Sequence, residues 1–132
     1  MCIARVNLHR PGGVTALMDK QRLVEELLAC AEDDWLALWM IAGDVEAELE
    51  IDDPGETREA TIDVVRELLR RGLRAGDSPV SGDCVHFNAW ANQDPDAITA
   101  YIRREWEQRG EPPGWDDAPW FAAPSFILRG CS

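Results

Sequence analysis

The sequence is short of positive charge, of histidine and of long apolar runs, and each shortage removes a class of function. Lys and Arg number 13 against 25 Asp and Glu, a formal net charge of -12. Such a field disfavours phosphate backbones and anionic membranes and favours basic partners. The partner expected is a basic protein, with no nucleic acid and no membrane. No apolar run approaches the roughly 20 residues of a bilayer span, and no long apolar segment follows the first Arg residues as a secretory signal requires. A cytoplasmic address is the expectation. There is no CxxC pair either: Cys2, Cys30, Cys84 and Cys131 are far apart, and a chain of 132 residues does not need a disulfide framework. The four read as reduced thiols, although Cys2 and Cys131 sit near the termini, where a bridge is geometrically possible.

Catalytic signatures are missing as well. The chain has 2 His, no nucleophile elbow, no phosphate-binding glycine loop and no paired-ligand motif. Cys84 and His86 alternate onto one side of an expected strand, as a thiol nucleophile and its base would. No local motif adds the orienting third group or the oxyanion site, so a structural Cys and a surface His account for the pair. Zinc would need two more ligands from Cys2, Cys30, Cys131 and His9, which are scattered. The acids of residues 44–59 lie mostly on a helix, which cannot converge them as a calcium loop does. No metal, cofactor or catalytic residue is expected, and the chain is read as not an enzyme.

What is present is one domain's worth of helix. Hydrophobic residues make up 45% of the chain, with six Trp, ample for a single core. Residues 1–17 contain no acid and carry the breaker triplet Pro11-Gly12-Gly13, so they read as an arm, flexible or laid on an edge, ahead of a single domain over 18–132. A first helix begins near Met18 with Asp19 as its cap and Leu23, Leu27 and Leu28 on one face. A second runs from Asp34 to Glu50, with Trp35, Leu38, Trp39, Ala42, Val45 and Leu49 as its stripe, and Asp52-Asp53-Pro54-Gly55 stops it. A third starts at Glu56 or Thr57, buries Thr61, Val64, Val65, Leu68 and Leu69, and ends at Gly72-Leu73. A hairpin is expected over about 73–90, and a fourth helix from Asp94-Pro95-Asp96 to Gly110, with Ile98, Ile102 and Trp106 inward. There is no internal repeat and no low-complexity stretch. The fold class expected is mainly α with a small β-hairpin (α+β), winged-helix-like, with a core of Leu38, Trp39, Ala42, Val45, Val65, Leu68, Leu69, Phe87, Ile98, Ile102 and Trp106.

Three functions from different classes compete. In a winged-helix regulator, residues 57–71 would be the recognition helix, with Arg58, Arg66, Arg70 and Arg74 on one stripe. Glu59, Asp63 and Glu67 lie three or four residues from these arginines and pair with them in a solvated helix face. The second reading takes Asp44, Glu46, Glu48, Glu50, Asp52, Asp53, Glu56 and Glu59 as an acidic surface that steers a basic protein; a solvated helix end is the plain alternative. The third is a structural subunit of a larger complex, touching its neighbours through the tail of Trp115, Trp120 and Phe121. That tail is read first as core, because an apolar patch of its size is rarely left in water, with contacts only at its rim.

The stretches "LLRRGLRAGD" (68–77), "FNAW" (87–90), "AITAYIRREW" (97–106) and "GWDDAPWF" (114–121) carry a resemblance. Over about residues 33–121 the chain resembles a group of small, acidic, uncharacterised bacterial proteins with a helix-pair, hairpin, helix and terminal Trp-Phe layout, some associated with toxin-immunity gene neighbourhoods. The resemblance implies no active-site residue. With the charge, it makes a non-catalytic acidic protein-binding module, of the immunity type for a basic toxin, the function expected.

Overall fold

The computed structural model describes residues 16–77, 87–111 and 119–125. Their elements are α1 (Ala16–Ala31), β1 (Leu36–Ala37), α2 (Leu38–Glu48), α3 (Pro54–Arg70), β2 (Arg74–Gly76), α4 (Pro95–Arg109) and β3 (Trp120–Ala122). The protein is mainly helical with a small three-stranded antiparallel sheet, an α+β arrangement.

An acid followed by proline starts two of the helices. The Asp53 carboxylate accepts the Glu56 N–H at 2.9 Å with Pro54 in the first turn, and Asp94 accepts the Ala97 N–H at 2.9 Å with Pro95 beside it. Each acid satisfies an orphan amide, and each proline occupies a position that needs no donor. The segment read as the stop of one helix is therefore the start of the next, and α3 begins earlier than expected. Its end is as expected: Gly72 takes φ 110, the Leu73 N–H donates to the Leu68 carbonyl at 3.1 Å, and Leu73 is buried. α2 ends in the same way without a glycine. Glu50 holds φ 52, the Ile51 N–H donates to the Glu46 carbonyl at 3.1 Å, and Ile51 packs on the core.

Two helix starts differ from expectation. α1 begins at Ala16, which puts Asp19 within its first turn instead of at the cap. The helix expected from Asp34 begins only at Leu38, because Leu36 and Ala37 pair as β1. Trp35 thus lies outside the helix, and Trp39 is 41% exposed while Leu38, Ile41, Ala42, Val45 and Glu48 are buried. Spacings of three and four fit two neighbouring phases of this apolar stretch, and strand pairing at 36–37 selects the one with Ile41 inward. Every other member of the expected core is buried.

α3 is the central helix, packed against α1, α2 and α4. Ile62, Val64, Val65 and Leu68 are fully buried, and along the helix only Pro54, Glu56, Asp63 and Arg70 are exposed. The sheet lies beside this bundle in the order β1-β3-β2. Phe121 is opposite Leu36 on one side and Ala75 on the other, and faces the helical core; alternation sends Trp120 and Ala122 to the other face with Ala37 and Phe87.

Residues 78–86 of the hairpin expected over about 73–90 lie outside the described residues, and its two described ends meet across an antiparallel bridge. β2 also pairs with β3 from the far end of the chain. On the other edge of β2, the stretch 88–90 makes one bridge, Gly76 to Ala89, flanked by Trp90 N–H to Ala75 carbonyl (2.9 Å) and Asp77 N–H to Asn88 carbonyl (3.1 Å). The approach is close enough that a Cβ on Gly76 would lie 2.8 Å from the Phe87 ring. Residues 1–15 of the arm expected over 1–17, with Cys84, His86 and Trp115, lie outside the described residues, and residues 16–17 open α1.

Cys30 is disulfide-bonded, which corrects its reading as a reduced thiol. Cysteines distant in sequence are joined by tertiary structure, so their spacing did not encode the bond. Among the described residues, no helix is long and apolar enough to cross a membrane.

Candidate protein-binding surface

The eight acids of residues 44–59 divide by position. Glu48 is buried at the end of α2, and Asp53 is tied up as the cap of α3. Glu59 is locked between α3 and α4: Arg103 donates to it at 2.6 Å and Arg58 at 3.1 Å. The Arg103 guanidinium holds the Glu59 carboxyl below the usual carboxylate range; partial burial opposes this and Arg58 adds to it. The same contact raises the Arg103 guanidinium above its ordinary value. These three acids serve the fold.

Glu46, Glu50, Asp52 and Glu56 remain exposed at the corner where α2 ends and α3 begins, and Asp44 is half-buried one turn earlier. The Thr57 hydroxyl donates to Glu46 at 3.4 Å, which bridges the two helices at this corner. The last turn of α2 contains no basic residue. Its C-terminal carbonyls are the negative end of the helix dipole, so Glu46 and Glu50 add charge where the backbone is already negative.

The four arginines of the recognition-helix reading do not form a free stripe. Arg58 contacts Glu59 at 3.1 Å and Glu107 at 3.7 Å; Arg66 contacts Asp63 at 3.2 Å, Asp96 at 3.3 Å and the Thr99 hydroxyl at 3.3 Å. Arg70 and Arg74 are exposed with no ion pair among the described residues. Along α3 the exposed charged residues are Glu56, Asp63 and Arg70. Arg71 belongs to another contact, donating to Glu25 at 2.6 Å, which raises its own guanidinium above the ordinary value.

Trp120 and Phe121 are 6% and 0% exposed, so the tail's ring pair belongs to the core. A different aromatic pair is accessible. Trp90 meets Tyr101 edge to face, with centroids 5.6 Å apart and planes at 89°, and the Trp90 indole N–H donates to Asp77 at 2.9 Å. With Asn92, Ala97 and Ile98 they line a cavity of about 450 Å³. Sequence reasoning missed it; "FNAW" and "AITAY" held the two rings, but nothing local brings them together. Among the described residues, no group of three or more His, Cys, Asp and Glu is placed to hold a metal ion. Comparison with protein-family models, with curated proteins and with solved structures finds no match.

Proposed function

We propose that this chain is a non-catalytic protein-binding module that presents the acidic α2–α3 corner to a basic protein, with an immunity-type protein covering the basic site of a toxin as its concrete form. The observation that carries the reading is the placement of Glu46 and Glu50 at the C-terminal end of α2, in a turn without a basic residue, with Glu50 at positive φ. Both features work against helix stability. Negative charge gathered at this helix end also speeds encounter with a basic surface.

The regulator reading loses support because α3 is enclosed by three helices, and the subunit reading because Trp120 and Phe121 are buried. The cytoplasmic address belongs with the immunity reading, and the cystine at Cys30 opposes it, because cytosolic thiols are held reduced. The test is affinity capture from the native source at low and high salt, beside a duplex-DNA shift assay. One basic protein released at high salt supports the reading. Duplex DNA retained near physiological salt, with no protein captured, contradicts it.

A further inference from the structure

We infer that the cavity between Trp90, Tyr101 and Asp77 takes an alkylammonium or guanidinium group, presented as a Lys or Arg side chain by the basic partner. The partner rests on the function proposed above; the chemistry of the pocket rests on its own geometry. Two aromatic rings at right angles offer a π-face and a ring edge, and a carboxylate lies within hydrogen-bond distance of one ring. An organic cation is the group that such a set attracts, since it gains from the ring face and from the carboxylate together. Asp77 uses one oxygen, Oδ1, for the Trp90 indole, and its carboxylate makes no other hydrogen bond or ion pair among the described residues.

The rings are held in advance. Gln93 accepts the Ala75 N–H at 2.8 Å and donates to the Ala75 and Trp90 carbonyls at 2.8 and 2.7 Å, so its amide continues the edge of β2 and fixes the backbone of Trp90. Tyr101 is fixed by α4, whose cap Asp94 is itself tied by its N–H to the Asn92 side-chain oxygen at 2.9 Å. A half-exposed Trp held this firmly loses little freedom when a ligand arrives. The free protein already uses the site's chemistry: the Arg104 guanidinium lies over the Tyr101 ring, 5.7 Å from its centroid. That contact shows Tyr101 receiving a guanidinium, and it makes Arg104 a competitor of the incoming one.

The pocket is distinct from the acidic corner. α3 and α4 run antiparallel, with Arg66 near Thr99 and Arg58 near Glu107, so the N-terminal end of α4 lies at the opposite end of the helix pair from Glu56. A partner that reaches both must span the α3–α4 face.

The experiment titrates the full ¹⁵N-labelled chain with Nα-acetyl-lysine N-methylamide, and with the norleucine analogue that lacks the amine, while the Trp90 indole N–H resonance is followed. The lysine probe should give a saturable shift with a dissociation constant on the order of 10 mM, and the norleucine analogue should give none. Asp77→Asn and Tyr101→Leu should each weaken binding at least about threefold, and Arg104→Ala should strengthen it. Because Asp77 is exposed, Asp77→Asn decides the question if Tyr101→Leu fails to fold. The double variant Glu46→Gln/Glu56→Gln should leave the probe's affinity unchanged, so failure of the acidic-corner reading does not mask failure of the pocket. No shift at Trp90, or an equal shift with the norleucine analogue, would overturn the pocket. Probe binding by the wild type, with capture of the basic partner undiminished in Asp77→Asn, would overturn the assignment of the cation to that partner.

Discussion

Arg103 donates to the Glu59 carboxylate at 2.6 Å, joining α4 to the helix at the centre of the fold. Both side chains are partly exposed, at 40% and 47%, so screening by water limits what the pair contributes to about 1 kcal/mol at most. Its value lies in register: with Arg58–Glu107 and Arg66–Asp96 it fixes how two antiparallel helices are aligned.

This pair sets a pH dependence. The Glu59 carboxyl is held below its ordinary value of 4.5, so the folded state binds the proton more weakly than the unfolded chain does. The stabilisation is present above the unfolded value and is lost as pH falls through the lower folded one. Glu59→Gln should therefore melt slightly below wild type at neutral pH, with the gap closing as pH falls below about 4. Thermal melts of both proteins across that range check it.

Glu50 at φ 52 occupies a position that favours glycine. Glu50→Gly should stabilise the fold by about 0.5–1 kcal/mol, because it relieves the left-handed strain and removes an acid from the helix terminus. Gly72→Ala, at φ 110, should destabilise it by at least about 1 kcal/mol. Urea denaturation of the two variants should move in opposite directions.

Phe121 is fully buried at the centre of the sheet although it lies near the end of the sequence. Phe121→Ala should cost about 3–5 kcal/mol, much more than Trp39→Ala on the partly exposed face of α2. Equal losses would show that the C-terminal strand is peripheral.

The cystine at Cys30 gives a chemical prediction. Alkylation of the native protein should label at least two more thiols after reduction than before, and reduction should lower stability by about 2–4 kcal/mol. Mass spectrometry of protein alkylated at the moment of lysis also tests the compartment, since full labelling without reductant is what the cytoplasmic reading requires.

Local signals were legible in the sequence where short-range chemistry decides the structure. The caps at Asp94 and Gly110, the left-handed end at Gly72 and the buried stripes of α3 and α4 follow from capping and periodicity, and the structure has each. What failed depends on distant partners. Two residues of β1 and three of β3 are too short to show a period, and only their mutual pairing makes them strands. That pairing also turned α2 and put Trp39 outside. The acidic stretch was visible as composition, but its division into fold-serving Asp53 and Glu59 and exposed Glu46, Asp52 and Glu56 depends on Arg103 and on the backbone of α3. The Trp90–Tyr101 pair joins residues on either side of the Asp94 cap, and periodicity says nothing about such a corner.

The binding role of the acidic corner is tested by side-by-side capture with immobilised wild type and with Glu46→Gln/Asp52→Asn/Glu56→Gln at low salt. The three side chains are exposed, so the variant should fold with an unchanged or slightly raised melting temperature. Wild type should retain one basic protein and the variant should lose most of it, with addition of salt having the same effect on wild type. Equal capture of that protein by both, or capture insensitive to salt, would contradict it.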